Sequence, residues 1–481
     1  MERRESLSDA RVRVISPSVP TMRNTDYRSL SLWHDTLPGS LGARASLDTD
    51  ASVDVAIVGA GYTGLWTAYY LAVLEPTLRV AIVESQVAGF GASGRNGGWV
   101  VGTLAGMDSR FADPAQREGA IALQHAMFDS VDEIGRIAKR ESIDCHYAKG
   151  GNITVATEEA HKDALRDDLE SWNQMGFGDQ DLRWLDPDEC AKRLNTSSNY
   201  GGLLFSHCAA IHPARLARGL ADVVESRGVT IYEQSPAVAL EPGCVVTPGG
   251  RVRARMVVRA TEAYTKTLPG HRRTLMPLHS MMIATEPLPE STWKHIGLGE
   301  RETFADPRRT VIYGQRTADD RIAFGARGSY HFGSGIRDRF AASDKIFEGV
   351  QSTLESLFPI LRQHRITHRW GGALGVPRDW RPSVGIDFEK GLAWGGGYVG
   401  EGVAAANLAG RTLAELILAR DSERVRLPLV GPQSRSWEPE PLRWLAVSTV
   451  LHTGASLDAA ERRGRTAPRL RSAFFSALVR K

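Results

Sequence analysis

Three glycines at positions 59, 61 and 64 form the pattern Gly-x-Gly-x-x-Gly, and an acidic residue, Glu84, follows at a spacing that suits the same site. In dinucleotide-binding proteins the first glycine of this pattern allows a tight turn. The second lets a pyrophosphate approach the backbone, and the third lets a helix pack closely on a strand. A carboxylate roughly 20 residues further on can accept hydrogen bonds from the ribose hydroxyls of an adenosine. The spacing therefore predicts a site for the ADP half of a dinucleotide.

The segments around the glycines are those that such a site needs. Residues 54–58 read Asp-Val-Ala-Ile-Val, which is typical of a buried parallel strand, and residues 79–84 almost repeat them. Between them, helix formers with a broad apolar face begin at Tyr62. The pattern predicts one β–α–β unit with the glycines at the start of its helix. Glu84 would repel the 2′-phosphate of NADP, so FAD and NAD remain as ligands.

A second glycine-rich stretch, "GFGASGRNGG" at residues 89–98, follows Glu84 and precedes Trp99. Glycine loses more backbone freedom on folding than other residues, so a loop of this composition is costly to order. A domain that binds only NAD would continue here into another β–α–β unit. The interruption indicates that the backbone must approach a second part of the cofactor, which favours FAD.

On these residues the chain resembles the FAD-dependent amine and amino-acid oxidoreductases of the D-amino-acid oxidase type. The resemblance covers about residues 30–420 and is nearest to the γ-glutamylputrescine oxidase-like branch. Its motifs are "DVAIVGAGYTGLWTAYYLA", "VESQVAGFGASGRNGG", "IHPARLARGLA", "VVRATEAYT", "RWGGALGVPRDWRPSVGID" and "GGGYVGEGVAAANLAGR".

The resemblance implies which residues bind FAD. The ADP half would contact Gly59, Gly61, Tyr62, Thr63, Gly64 and Glu84. The residues running along the pyrophosphate toward the isoalloxazine ring would be Ala92, Ser93, Arg95, Asn96 and Gly97. Those near the adenine and at a strand end beside the cofactor would be Ala237, Ala260 and Thr261. Glu262 stands where the family commonly has asparagine, which alters the hydrogen bonding expected at that position.

The last motif predicts a contact with the flavin ring. Gly400 and Gly402 precede a helix expected to begin near Val403. The N-terminus of this helix could stabilise the negative charge of the reduced ring at its N1–C2=O edge. Some members of the family attach FAD covalently through a cysteine or a histidine in the segment that matches residues 369–387. This segment contains neither residue, which predicts non-covalent FAD.

Side chains that could contact the substrate are less clearly marked. A bidentate arginine suits a substrate carboxylate, and aromatic walls exclude water. The candidates for catalysis are Arg327, Tyr398, Tyr313 and His279, with Met281, Tyr330, Trp370 and Arg381 as further possibilities. For each of these side chains, packing or surface pairing is as good an interpretation as a functional role.

The predicted fold is mixed α/β. A Rossmann-like FAD-binding domain would be assembled from residues 50–140, 205–275 and 370–425. A discontinuous substrate domain, built on an antiparallel sheet, would comprise residues 141–204 and 276–369. Residues 1–30 are expected to be a disordered extension, and residues 426–481 to be a C-terminal extension with a basic tail.

Composition excludes several other classes of protein. The 481 residues carry a formal net charge of +3, which is too small to indicate nucleic-acid binding. No apolar run reaches the roughly 18 residues of a membrane span, and no apolar signal segment is present, so a cytoplasmic location is predicted. The four cysteines form no Cys-x-x-Cys pair, and no metal site is predicted. From Arg462 onward the chain is basic and amphipathic, which fits either a helix docked on the protein or contact with a membrane surface.

The predicted reaction is oxidation of the C–N bond of a small-molecule amine or amino acid. Hydride would pass to flavin N5, and oxygen would accept the electrons to give hydrogen peroxide. Three alternatives stay open: a flavin dehydrogenase with a non-oxygen acceptor, an NAD-dependent dehydrogenase, and an FAD-binding protein without turnover. The glycine-rich stretch and the C-terminal motif argue against the NAD-dependent enzyme.

Overall fold

Two large sheets and the helices packed on them form most of the computed structural model, which describes residues 26–431 and 433–461. The strands are β1 (Ala51–Val58), β2 (Val80–Val83), β3 (Trp99–Val101), β4 (Asn152–Val155), β5 (Leu182–Leu185), β6 (Gly202–Phe205), β7 (Cys208–Ala210), β8 (Thr230–Tyr232), β9 (Ala239–Glu241), β10 (Cys244–Thr247), β11 (Gly250–Arg259), β12 (Met276–Thr285), β13 (Thr303–Ala305), β14 (Ile312–Arg316), β15 (Ile322–Ser329), β16 (Ile366–Val376), β17 (Ser383–Asp387) and β18 (Leu392–Gly396). The α-helices are α1 (Leu32–Asp35), α2 (Tyr62–Leu74), α3 (Met107–Phe111), α4 (Arg117–Arg140), α5 (Glu159–Gln174), α6 (Pro187–Arg193), α7 (Pro213–Ser226), α8 (Glu290–Ile296), α9 (Ile346–Leu357), α10 (Gly402–Ile417) and α11 (Leu442–Glu461).

The first sheet has the order β17-β18-β11-β1-β2-β8, and β10 and β9 extend it beside β11. Its five strands from β18 to β8 are parallel, with Val55 of β1 opposite Val80 of β2 and Met256 of β11. Helices α2 and α10 pack against each other, and Gly410 allows the backbones to approach, since a Cβ there would lie 2.5 Å from that of Trp66. Burial on both faces explains why β1 and β2 read as continuous apolar runs. This sheet confirms the predicted Rossmann-like unit.

The second sheet has the order β16-β12-β15-β14-β13-β4-β6-β5. Its neighbouring strands are antiparallel except for the parallel pair β13 and β4. Helix α9 covers β12 and β15, and the core between them includes Phe347 and Leu354. The sheet includes all of β16, so it continues past residue 369, where the sequence placed the end of the substrate segment.

The two chain termini were expected to be extensions. Residues 1–25 lie outside the described residues, as does the basic tail at residues 462–481. Within the described part, Tyr27 and Leu30 are buried beside Val87, so residues 26–30 pack on the protein. At the other end, Trp437 is buried, and its indole Nε1 donates to the Val376 carbonyl oxygen at 2.7 Å.

The described residues bear on three features that composition addressed: the cysteines, membrane-spanning segments and metal sites. Cys145, Cys190, Cys208 and Cys244 are buried free thiols. Among residues 26–431 and 433–461, no helix is long and apolar enough to cross a membrane. The same residues contain no cluster of three or more side chains suited to hold a metal ion.

Candidate active site

A cavity lies between the carboxyl end of the first sheet and one face of the second. The first sheet and its helices contribute Gly61, Tyr62, Thr63, Ala260, Glu262, Tyr398, Gly400, Glu401, Gly402, Val403 and Ala406. The stretch after β2 contributes Ala92, Ser93, Arg95, Asn96, Gly97, Trp99, Val101 and Thr103. The second sheet and its loops contribute Ser280, Ala305, Asp306, Val311, Ile312, Tyr313, Gly372 and Leu374. The cavity therefore combines most of the predicted cofactor residues with the sheet predicted to hold the substrate.

The three glycines of the first motif have different steric roles. Gly59 has φ +105°, and a Cβ there would lie 2.6 Å from the Ala260 carbonyl oxygen. A Cβ on Gly64 would lie 2.0 Å from the Gly59 carbonyl oxygen, so this glycine is required for the close approach of α2 and β1. Gly61 lines the cavity in ordinary extended backbone, and its Cβ would meet only the Ser93 hydroxyl, at 3.0 Å. Gly61 is therefore the position at which space is reserved for something outside the chain.

Glu84 lies at the end of β2, beside the turn that contains the glycines. Its carboxylate accepts hydrogen bonds from the backbone N–H groups of Ala60 at 2.8 Å and Gln86 at 2.9 Å. Burial raises the pKa of Glu84, and these two N–H donors oppose the shift. The Ser235 N–H donates to the Glu84 carbonyl oxygen at 2.8 Å, and Ala237 packs on the apolar cluster of the first sheet. Neither Glu84 nor Ala237 lines the cavity. Glu84 lies beside the glycine turn, where the sequence predicts that the adenosine of the cofactor binds.

The glycine-rich stretch is held in place by side chains distant in sequence. It contains the 3-10 helix Ala92–Gly94. The Trp33 indole N–H donates to the Asn96 carbonyl oxygen at 2.8 Å, and that of Trp370 donates to the Arg95 carbonyl oxygen at 2.9 Å. Trp370 was a predicted substrate candidate, whereas Trp33 was not singled out from the sequence. The short apolar "SLW" before the first strand was the available signal for this role.

Arg95 presents buried hydrogen-bond donors to the cavity. Its side chain is about 1% exposed, its Nη1 donates to the Asp338 carbonyl oxygen at 2.9 Å, and its guanidinium lies 4.4 Å from the centre of the Phe90 ring. Its Nε and Nη2 have no hydrogen-bond partner among the described residues. The guanidinium is ion-paired with the Asp338 carboxylate, whose Oδ1 lies 3.5 Å from Nη1. Two buried N–H donors still lack an acceptor, which is unfavourable, so an anionic group entering the cavity would complete the site. Arg95 and Gly61 together fit the pyrophosphate of FAD.

Two of the predicted catalytic side chains line the cavity. The Tyr398 hydroxyl forms a hydrogen bond with the Thr63 hydroxyl at 2.8 Å, and those of Tyr313 and Ser280 form another. Burial raises the pKa of Tyr398 far above its usual value, so this phenol is neutral. Trp99 lies edge-on to Tyr313, with ring centres 6.0 Å apart. Tyr398, Tyr313 and Trp99 form an aromatic wall that carries two phenol hydroxyl groups.

His279 and Arg327 are placed differently. His279 is fully buried outside the cavity lining, where its Nε2 accepts the Arg337 N–H at 3.0 Å, and burial lowers its pKa to about 4. Arg327 lies on β15 opposite Ser280, and its side chain is outside what the structure describes. The remaining candidates are also outside the cavity lining: Met281 in the core under α9, Tyr330 beside Glu440, and Arg381 with its Nη2 donating to the Ser109 hydroxyl at 2.9 Å.

The loop before α10 is held in an unusual backbone conformation. Residues 396–400 include Val399 at φ +57° and Gly400 at φ +105°. A β-branched residue with positive φ is an outlier that persists only where the surroundings enforce it, and such residues cluster at functional sites. Gly400, Gly402 and Val403 line the cavity, so the N-terminus of α10 forms part of its wall.

Comparison with known proteins agrees with this geometry. The family model described as DAO, FAD dependent oxidoreductase, matches residues 54–416. Gamma-glutamylputrescine oxidoreductase of Escherichia coli (strain K12) is 33% identical, over 79% of this chain and 86% of that protein. Sarcosine oxidase subunit beta of Rhodobacter capsulatus is 22% identical, over 78% and 87%. The crystal structure of glycine oxidase from Geobacillus kaustophilus has a similar fold, with a TM-score of 0.67, 21% identity and coverage of 81% and 100%. The chain therefore belongs to the DAO family of FAD-dependent oxidoreductases, and it is an enzyme that uses FAD and acts on amines or amino acids.

Proposed function

We propose that this enzyme oxidises the C–N bond of an amine or amino acid to an imine, with oxygen as the electron acceptor. Bound FAD would supply the oxidising chemistry, with flavin N5 as the hydride acceptor and oxygen as the final acceptor of the two electrons, which would give hydrogen peroxide. The substrate nitrogen gives up the accompanying proton, and water hydrolyses the imine to a carbonyl compound and an amine or ammonia. The main support is a single cavity that joins the residues fitted to FAD with one face of the second sheet.

Residues of the first sheet would bind the cofactor without a covalent bond. The N-terminus of α2 at Gly61, together with Ser93 and Arg95, is suited to the pyrophosphate, since each brings hydrogen-bonding groups or partial positive charge to the cavity. Glu84 would accept the ribose hydroxyls. Residues 369–387 contain no cysteine or histidine that could form a covalent bond to the flavin. The N-terminus of α10 would stabilise negative charge on the reduced ring.

The opposite wall would bind and orient the substrate. Trp99, Ile312 and Leu374 supply apolar surface that excludes water, which protects an imine from early hydrolysis. The hydroxyl groups of Tyr313 and Tyr398 can form hydrogen bonds with the uncharged substrate amine, the form from which a hydride is lost, and burial keeps the Tyr398 phenol neutral. Arg327 remains our candidate for binding a substrate carboxylate. The first substrate to test is γ-glutamylputrescine, since the relative named for it is 33% identical.

Spectroscopy and a peroxide assay test the proposal together. The purified protein should show flavin absorbance that acid precipitation releases into the supernatant. Peroxide production is then measured with γ-glutamylputrescine, putrescine, sarcosine and glycine. Peroxide with any of these amines supports an oxidase. Anaerobic bleaching of the flavin by an amine, without peroxide in air, would instead show a dehydrogenase, and a flavin that no amine bleaches would contradict the proposed turnover.

A further inference from the structure

Glu262 is a carboxylate at a position where the backbone is strained. It follows β11 at the start of the 3-10 helix Glu262–Thr267 and lines the cavity. Its φ is +42°, a left-handed conformation that residues other than glycine, asparagine and aspartate rarely adopt. Such a conformation persists where surrounding interactions enforce it. The contacts of the side chain show what those interactions are.

The Glu262 carboxylate joins three separate parts of the cavity wall. Its Oε1 accepts the backbone N–H groups of Gly397 at 3.0 Å and Tyr398 at 3.1 Å. Its Oε2 accepts the backbone N–H of Gly375 on β16 at 2.7 Å. A Cβ on Gly375 would lie 2.1 Å from this Oε2, so the carboxylate fits only against a glycine. Glu262 thus links β11 to the second sheet and to the loop of residues 396–400.

An ionised carboxyl group suits these contacts better than a protonated one. A carboxylate only accepts hydrogen bonds, whereas protonation removes the negative charge, places an O–H donor on one oxygen and weakens the bonds accepted from the three N–H groups. Burial raises the pKa of Glu262 to about 7, and the three N–H groups oppose the shift. The titratable or charged groups on the elements packed around Glu262 include Tyr264 and Lys266 on the same 3-10 helix, Arg259 at the end of β11, His279 on β12, His368 and Arg369 on β16, Tyr398 on the loop and Glu401 before α10. The negative charge of Glu262 contributes to the raised pKa of Tyr398.

We propose that Glu262 is a positioning residue, whose ionised carboxylate holds residues 396–400 in the conformation in which the cavity binds FAD. It acts on the cofactor through the backbone of Gly397 and Tyr398 rather than by direct contact. The hydrogen bonds that Glu262 accepts from Gly397 and Tyr398 fix the loop directly before Val399, where its backbone conformation is least favourable. The proposal rests on FAD binding and is independent of the substrate and of the electron acceptor.

The test compares FAD affinity in apoprotein carrying Glu262→Gln, Glu262→Asp or the control Glu302→Gln. Glu302 is also a buried carboxylate that accepts a backbone N–H, from Glu300 at 3.1 Å, and it is outside the cavity lining. Apoprotein is titrated with FAD, flavin fluorescence is followed, and circular dichroism monitors the fold. At about pH 8, we expect E262Q to bind FAD at least about ten-fold more weakly than wild type, the order expected for losing one charge-assisted hydrogen bond, and E302Q to bind it normally.

The pH profile separates this role from a general loss of structure. Wild-type affinity for FAD should fall as the pH drops from about 8 to about 6, because Glu262 takes up a proton over this range. E262Q should lack this component, whereas E262D, which keeps a carboxylate on a shorter side chain, should bind weakly and retain it. Wild-type affinity and pH dependence in E262Q would overturn the proposal. If E262Q does not fold, a wild-type affinity that is constant over this pH range would overturn it equally.

Discussion

A methyl group added at Gly61 should weaken FAD binding without disturbing the fold. Gly61 has φ −83°, which alanine adopts without strain, and its Cβ would meet only the Ser93 hydroxyl at 3.0 Å. That hydroxyl can move by a few tenths of an ångström. Gly61→Ala should therefore leave the fold intact, and the loss of glycine's freedom in the unfolded chain offsets any small contact cost by about 0.4–1 kcal/mol.

FAD binding should respond differently to the same methyl group. The Cβ of Ala would stand in the cavity at the N-terminus of α2, where a pyrophosphate must approach backbone N–H groups. Losing one such charge-assisted hydrogen bond costs about 1.5–3 kcal/mol, which corresponds to a dissociation constant raised roughly 10- to 150-fold. Gly61→Val, with a larger side chain, should abolish flavin retention.

Two matched glycines complete the experiment. At Gly64, an added Cβ would lie 2.0 Å from a backbone oxygen, so Gly64→Ala should prevent normal folding. At Gly349, within α9, an added Cβ has nothing within 4 Å, so Gly349→Ala should keep FAD affinity and stabilise the protein by up to about 1 kcal/mol. Thermal melting of apoprotein and FAD titration are measured for each variant. Normal FAD affinity in G61A, or unfolding of G61A alongside a folded G64A, would refute the reasoning.

Three further predictions follow from other contacts of the site. Trp33→Phe removes the indole N–H that binds the Asn96 carbonyl, so FAD affinity should fall by about ten-fold while circular dichroism is unchanged; unaltered affinity would show that this hydrogen bond is dispensable. Tyr398→Phe and Thr63→Val break the same hydrogen bond, so each should lower kcat/KM similarly, whereas a defect in Y398F alone would mean that the phenol acts on the substrate directly. In apoprotein, the pKa of Glu262 is about 7 in the folded state and 4.5 in the unfolded chain. Its contribution to the free energy of unfolding is therefore largest below about pH 4.5 and is lost as the pH rises through 7. The unfolding free energy of E262Q relative to wild type should accordingly rise by up to about 3 kcal/mol from pH 5 to pH 8, and parallel profiles would contradict this.

Ionisation of Glu262 is predicted to lower the stability of the apoprotein and to raise its affinity for FAD. Ionising a buried carboxylate in the folded apoprotein lowers stability as the pH rises, while the same ionised group is expected to improve FAD binding. Active sites commonly trade stability for function in this way. A variant that is more stable at about pH 8 and binds FAD less well would display both effects at one position.

The part of the site that is local in sequence was predictable. The strand, the glycine turn and the start of α2 lie within residues 51–64, and their chemistry depends on neighbours a few positions apart. Gly59 and Gly64 are required by backbone atoms of this same unit or of the adjoining strand. The family motifs extended this reasoning to the N-terminus of α10, which begins at Gly402, one residue before the predicted position.

The substrate side depended on the register of the second sheet. His279 and Met281 were candidates from the sequence, yet Ser280 between them is the residue of β12 that lines the cavity. Side chains alternate between the two faces of a strand, so the residue next to a cavity-lining one points into the core instead. Nothing in the sequence of an isolated strand states which face will meet the cofactor.

A dinucleotide site of the FAD type could be predicted from the chain alone, because its signal consists of glycines, a strand and an acid at short, fixed spacings. The contacts that hold this site in place became visible only in the folded protein. Trp370 contacts a residue 275 positions away, and Glu262 contacts residues 113, 135 and 136 positions away. Such contacts leave no periodic pattern in the chain, since they depend on how two sheets pack together.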